Sequence, residues 1–375
     1  MKQIIKRGSF FTLMFMLLGC LSLYAADNDL ITKQITIQLE KAGTLPDRIG
    51  SSRKYQITNL KIIGEINGTD LEMIREMAGS DAKGYSTRGK LSVLDLSEAK
   101  IVEGGASYFY YGNGYYCTSN DVIGSSAFEG CSRLTSLTLP AGITEISDGA
   151  FSGCSGLTSL TLPAGITDIS SYAFYGCSGL TSLTLPAGIT SIGWYAFGSC
   201  SGLTSLTLPA GITDISSYAF YGCSGLTSLT LPAGITSIGD DTFYGCSGLT
   251  SLTLPAGITW IGGEAFRGCS GLTSIYVYAE KVPIIGSNAF TGVDAKKCTV
   301  YVPMGTYNDY WLSDFGYYFE NIVEFDATGI DKTTTSTDVE EVARYSVNGQ
   351  RLSAPTKGLN IVKYSDGSVK KVAVR

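Results

Sequence analysis

The sequence predicts a solenoid: 23-residue coils stacked into a parallel β-sheet with short helical turns, an α/β cap in front and a small β segment behind. Three observations predict it. The phrase Leu157 to Gly179 (LTSLTLPAGITDISSYAFYGCSG) recurs from Leu134, Leu157, Leu180, Leu203, Leu226 and Leu249, six copies without insertion or deletion. Apolar residues alternate with Ser and Thr at the head of each copy. At 44% hydrophobic and 16% charged residues, the chain can bury a core.

Each element of the phrase has a physical reason. Leu160 and Leu162 alternate with Ser159 and Thr161, so the segment makes a short strand with one dry and one wet face. Pro163 ends it, because proline cannot donate to a ladder. Gly165 is expected to turn the chain, and Ile166 and Ile169 to form a second short apolar edge. Ser170 to Phe174 is expected to be a tight helical turn that drives Ala173 and Phe174 inward. Gly176 permits the reversal into Cys177 and the next strand. One coil buries too little to hold itself together, so neighbours must pair their strands and share one core.

Looser copies flank the array: Leu91, Leu94 and Leu96, a Tyr-rich insertion (Tyr108 to Tyr116), Ile123 to Cys131, Leu272 to Gly292, and Val300 to Pro303. The solenoid is therefore placed at 91–304. Residues 27–90 read as an N-terminal cap, with strands at Gln34 to Leu39 and Tyr55 to Ile66. The spacing Thr69-Asp70-Leu71-Glu72 suggests a capping box and a short helix through Met73, Ile74 and Met77. Residues 305–327 read as an aromatic C-terminal cap ending in a strand at Asn321 to Phe325, and 328–338 as a Thr/Ser/Asp-rich linker. In the small β segment at 339–375, strands are expected at Ala343 to Val347, Leu359 to Tyr364 and Ser368 to Val374. Asn348-Gly349 and Asp366-Gly367 give the turns between them.

The start of the chain has an export pattern. Lys2, Lys6 and Arg7 precede an apolar run from Phe10 to Tyr24, and Ala25-Ala26 offers small residues for cleavage, giving a signal peptide at 1–26. Leu17-Leu18-Gly19-Cys20 supports a second reading, acylation at Cys20 with a lipid-anchored product. No other run is apolar enough to span a bilayer.

The phrase Ile-Gly/Ser-x-x-Ala-Phe-x-Gly-Cys-x-x-Leu-x-x-Leu-x-Leu-Pro, carried by Ile192 to Pro209 and its copies, resembles the BspA-like leucine-rich repeat of bacterial surface proteins. The resemblance spans roughly 91–304, and the Lys61 to Gly79 and Val302 to Phe325 stretches are similar to that family's flanks. It implies a leucine-rich-repeat solenoid and an attachment role at the cell surface, binding a host matrix protein, a glycan or another cell-surface protein. It carries over no ligand residue. The tail, through Asn348 to Arg351, Lys357 to Val362 and Asp366 to Lys371, resembles a type IX secretion sorting module, which implies export and outer-membrane surface attachment.

The composition narrows the chemistry. A net charge of −6 with no Lys/Arg cluster in the repeats argues against a nucleic-acid partner. With no histidine in the chain, a Ser–His–Asp triad cannot form and the commonest metal ligand is missing. Seven cysteines (Cys131, Cys154, Cys177, Cys200, Cys223, Cys246, Cys269) follow the repeat and should form a column. It reads as buried thiols filling the core, against a metal string or row of disulfides. The acids Glu145, Asp148, Asp168, Asp214, Asp240, Asp241 and Glu264 fall at variable positions and read as solvated surface rather than a catalytic pair. No catalytic, metal or cofactor site is assigned.

Between otherwise identical coils, the changes are Tyr172, Tyr175, Trp194, Tyr195, Tyr218, Tyr221, Tyr244 and Trp260. They read either as a ligand-binding stripe, since aromatic rings carry much contact energy for little entropy loss, or as rings packed over neighbouring coils. The Tyr-rich insertion counts with them towards binding. The uniform Ser159/Thr161 row and its copies read as ordinary wet-face residues. The alternative to an adhesion protein is a structural spacer or coat component without a specific ligand.

Overall fold

The computed structural model describes residues 30–112, 114–327, 341–346, 351–355, 357–364 and 369–374. The signal peptide with Cys20, the linker at 328–338 and the turns at Asn348-Gly349 and Asp366-Gly367 lie outside the described residues. Among the described residues, no helix is long and apolar enough to cross a membrane.

The chain is a parallel β-solenoid. One twelve-stranded sheet runs its length, and every pairing in it is parallel. Its first strands, β1 (Ile35–Leu39), β2 (Asn59–Ile66) and β3 (Val93–Ile101), lead into the coil strands Ser136–Thr138, Ser159–Thr161 and their successors. The last two are Thr299–Pro303 and Asn321–Phe325. Both caps thus extend the solenoid's own sheet. Register is kept coil to coil, Leu160 opposite Leu183 and Leu183 opposite Leu206.

The dry face is as the alternation predicts. Leu157, Leu160, Leu162, Ile166, Ile169, Ala173, Phe174 and Cys177 are buried, while Ser159 and Thr161 are exposed. The second apolar edge forms short parallel ladders, such as Asp168–Ile169 with Ser191–Ile192. Phe128, Phe151, Phe174, Phe197, Phe220, Phe243, Phe266 and Phe290 stack through the interior with neighbouring centroids 5.2–5.5 Å apart. From Cys154 to Cys269, each thiol of the cysteine column donates to the carbonyl of the phenylalanine one coil back, as Cys200 Sγ does to Phe174 O at 3.1 Å. The cysteines from Cys131 to Cys269 are free and buried.

The tight turn at Ser170 to Phe174 is not helical. Tyr172 has φ 56°, a left-handed conformation that cannot continue a right-handed helix. The same holds at Ser126, Gly149, Tyr195, Tyr218, Asp241, Glu264 and Asn288. Across the turns, backbone bonds run between coils: Tyr172 N–H donates to Trp194 O, Phe174 N–H to Ala196 O and Gly176 N–H to Gly198 O (2.9, 2.8 and 2.8 Å). Gly165 is not among the left-handed residues, so the Pro-Ala-Gly turn forms without that freedom.

A ladder of this polarity leaves carbonyls without donors at its first coil. Following helix α1 (Leu45–Ile49) in the cap, helix α2 (Gly68–Met77) and the hairpin of β4 (Gly104–Tyr111) and β5 (Gly114–Thr118) supply them. Fully buried Arg75, on α2, donates through Nη1 to Ser126 O and Ala127 O (2.6 and 3.0 Å) and through Nη2 to Glu129 O (3.0 Å). Tyr108 OH donates to Ser125 O at 2.9 Å. Tyr108 and Phe109 are therefore buried capping residues, which removes half the reason for reading the Tyr-rich insertion as a binding feature; Tyr111 and Tyr115 remain exposed.

The capping box of α2 is Asn67 with Asp70, not Thr69 with Glu72. Asp70 is drawn inward because it also accepts from the Gly43 and Leu45 amides. At the far end, α3 (Tyr307–Trp311) and α4 (Asp314–Tyr318) close the core, with Phe315 and Phe319 packed on Phe290 at 5.9 and 5.2 Å. Tyr318 packs edge-on against Phe290 at 5.7 Å, beside the last turn. Beyond it, Glu341–Ser346, Arg351–Leu352, Gly358–Tyr364 and Val369–Val374 form a four-stranded antiparallel sheet.

Candidate binding surface

The turn side of the solenoid carries the variable side chains. The left-handed position reads Ser126, Gly149, Tyr172, Tyr195, Tyr218, Asp241, Glu264, Asn288 along the stack. Rings thus stand there in three successive coils, flanked by small residues on one side and carboxylates on the other.

Seven of the eight sequence-predicted aromatics form one contiguous cluster. Tyr172, Tyr195 and Tyr218 stack at 5.3 and 4.6 Å. Trp194 stands edge-on to all three, at 5.1, 4.7 and 5.9 Å. Tyr175 and Tyr221 pack on Tyr195 at 5.8 and 5.7 Å, and Tyr244 stacks on Tyr221 at 4.9 Å. Such pairs stabilise by about 0.5–1.5 kcal/mol beyond their buried area. Gly198 makes the room: a Cβ there would lie 2.8 Å from Tyr195 Cδ1 and 2.9 Å from Tyr175 Cδ2. The reading as rings packed over neighbouring coils holds in part. The stacked tyrosines are half-buried over neighbouring coils, while Tyr175 and Trp194 keep exposed faces.

Trp260 is not in the cluster. It lies on the short second-edge strand Trp260–Ile261, beside exposed Ile284, in a different column from Trp194. Between the two tryptophans is an open depression of about 940 Å³, lined also by Asp214, Asp240, Asp241 and Glu264. The neighbouring Asp241 carboxylate holds the Tyr218 phenol up at about 12. Burial, with Glu264 and Asp240 nearby, raises the Asp241 carboxyl above its ordinary value. A second depression of about 510 Å³ lies on the other flank of the cluster, between Tyr111 and Tyr116 of the hairpin and Tyr172 and Tyr175.

Three of the seven acids read as solvated surface, Asp148, Asp168 and Asp240, tie coils together. Asp148 Oδ1 accepts from Ser171 N–H at 3.0 Å and Asp240 Oδ1 from Gly263 N–H at 2.7 Å. Asp168 accepts from Ser191 Oγ at 2.5 Å and Thr167 Oγ1 at 2.8 Å, bonds that hold its carboxyl below the ordinary value. A threonine column missed in the sequence does the same: Thr158, Thr181, Thr204, Thr227 and Thr250 each donate to a carbonyl of the coil before. Its signal was the invariance of Thr beside each leading Leu.

Residues 117–224 and 195–313 match the family described as BspA type leucine rich repeat region, in six copies. No curated protein matches the chain. Among solved structures the chain is similar to a leucine-rich repeat protein of T. pallidum (25% identity, TM-score 0.34, covering 44% of this chain and 86% of that one). It is also similar to a leucine-rich repeat protein from Bacteroides ovatus (20%, 0.36, 72% and 73%). A third is the pneumococcal vaccine antigen PcpA (16%, 0.36, 72% and 80%).

Proposed function

Because this chain belongs to the BspA-type leucine-rich-repeat family, we propose that it is an exported cell-surface recognition protein that binds a protein or glycan ligand through the turn side of its coils, without catalysis. One observation carries the reading. In coils of near-identical sequence, seven of the eight aromatic substitutions gather into a single cluster, two of whose rings keep exposed faces. A rigid aromatic face of this kind offers contact area with little entropy to lose on binding. Residues 1–26 would direct export, and the 339–375 segment surface attachment; N-terminal sequencing of the mature chain separates this from a Cys20 lipid anchor.

Binding of the purified mature protein to a panel of host matrix proteins and glycans tests the reading. The wild type is expected to capture at least one ligand, and Tyr172→Ser/Trp194→Ser/Tyr195→Ser to lose it while melting as a folded protein. The near-identity of the coils favours the second reading, an inert spacer. No capture across the panel would establish that reading instead, and capture indifferent to the triple substitution would overturn the aromatic face as the binding surface.

A further inference from the structure

We propose that the depression between Trp194 and Trp260 receives an arginine or lysine side chain of a polypeptide ligand. The proposal rests on the recognition reading above and names the chemistry of one subsite.

Past Tyr218 the turn face changes in height and in charge. At the left-handed position the rings of Tyr172, Tyr195 and Tyr218 give way to Asp241 and Glu264. One residue earlier, Trp194 gives way to Ser217, Asp240 and Gly263. The loss of bulk opens the cavity, and the exchange lines it with acid. Asp214, Asp240, Asp241 and Glu264 all border it, with no lysine or arginine among the lining residues. The array as a whole, residues 134–271, carries seven acids against one base, Arg267. A cation entering between two exposed tryptophans meets both ring faces and carboxylates, the two groups that attract guanidinium and ammonium.

The chain already makes this contact with itself at the edge of the cluster. Arg267 pairs with Glu264 at 3.0 Å and lies 5.8 Å over the Tyr244 ring. Burial first, and then the neighbouring Glu264 and Asp240, raise the Asp241 carboxyl, and an incoming cation would favour its charged form. A neutral glycan would stack on the tryptophans and donate hydroxyls to the carboxylates, but it would leave their charge uncompensated.

Titration of the mature chain with triarginine amide and with tricitrulline amide, its neutral isostere, tests the proposal at low ionic strength. The expected result is binding of triarginine about tenfold tighter than tricitrulline. Asp240→Asn/Asp241→Asn and, separately, Trp260→Ser should each weaken triarginine by about tenfold or more. Glu145→Gln, which removes one negative charge outside the depression, should leave it unchanged; melting temperatures confirm that each variant is folded. Equal affinity for the two peptides overturns the proposal. So does a loss in Glu145→Gln matching that in the double variant, or a neutral oligosaccharide that quenches Trp260 equally with and without the two aspartates. If ligand capture still depends on Tyr172, Trp194 and Tyr195 in any of those cases, the recognition reading stands and only this subsite assignment fails.

Discussion

Cys177 Sγ donates to the carbonyl oxygen of Phe151, one coil earlier, across 3.1 Å. The same carbonyl type accepts a thiol from Cys154, Cys200, Cys223, Cys246 and Cys269 at 3.0–3.3 Å. The thiol column therefore fastens each coil to the one before while filling the core beside the phenylalanine stack. Burial pushes the Cys177, Cys223 and Cys269 thiols up to about 12, and reactivity needs the thiolate. Alkylation of the native protein near pH 8, mapped by peptide mass spectrometry, should label exposed Cys117 within minutes. Cys177 and Cys223 should stay unlabelled until denaturant is added.

The same raised values give a pH dependence. Below the ordinary thiol value of 9.0, folded and unfolded chains both hold the proton and the full stability is present. Between there and about 12, only the unfolded chain releases it, so stability falls as pH rises. Denaturant melts over pH 7–12 should show a steep loss beginning above about pH 9. Cys177→Val/Cys223→Val, with fewer titrating thiols, should show a shallower slope.

Two glycines of successive coils should behave oppositely. A Cβ on Gly179 would lie 2.4 Å from Ser155 O, in the coil before, whereas a Cβ on Gly188 meets nothing nearer than Ile166 O at 3.5 Å. Gly179→Ala must push two coils apart and should destabilise by about 1–3 kcal/mol. Gly188→Ala should be neutral or stabilise by a few tenths of a kcal/mol through the unfolded chain. Chemical denaturation of the two variants measures both.

The coil frame is legible in the sequence because its determinants are local and repeated. Leu160/Leu162 alternation, Pro163 as a stop and Phe174 with Cys177 recur at one period, and each is sufficient to fix which way a side chain faces. What the sequence hid is set by partners far along the chain. Asp70 rather than Glu72 closes the α2 box because the Gly43 and Leu45 amides pull it in. The turn at Tyr172 is left-handed because inter-coil bonds fix its backbone, against the preference of a bulky residue. The eight rings were legible as a set, but Trp260's separate column and the acid-lined gap before it follow from stacking geometry.

Arg75 is the strongest case of a role set at a distance, since its acceptors Ser126, Ala127 and Glu129 lie more than fifty residues on. Arg75→Met keeps the bulk of the side chain and removes its donors. Each carbonyl left unpaired costs about 1–3 kcal/mol, so the variant should lose several kcal/mol. Hydrogen exchange should rise first in the coils at 123–156, with those beyond 226 protected as in the wild type. Uniform acceleration along the solenoid would deny Arg75 its capping role.

Hydroxyl-radical footprinting with and without the captured ligand tests the recognition surface most directly, because the molecule supplies its own control. Trp194, in the aromatic cluster, is 43% exposed, and Trp311, on the C-terminal cap, is 44% exposed. Ligand binding is predicted to suppress oxidation of Trp194 and Tyr175 and leave Trp311 unchanged. Protection of Trp311 with Trp194 still oxidised at its free rate would contradict the assignment of this face as the binding surface.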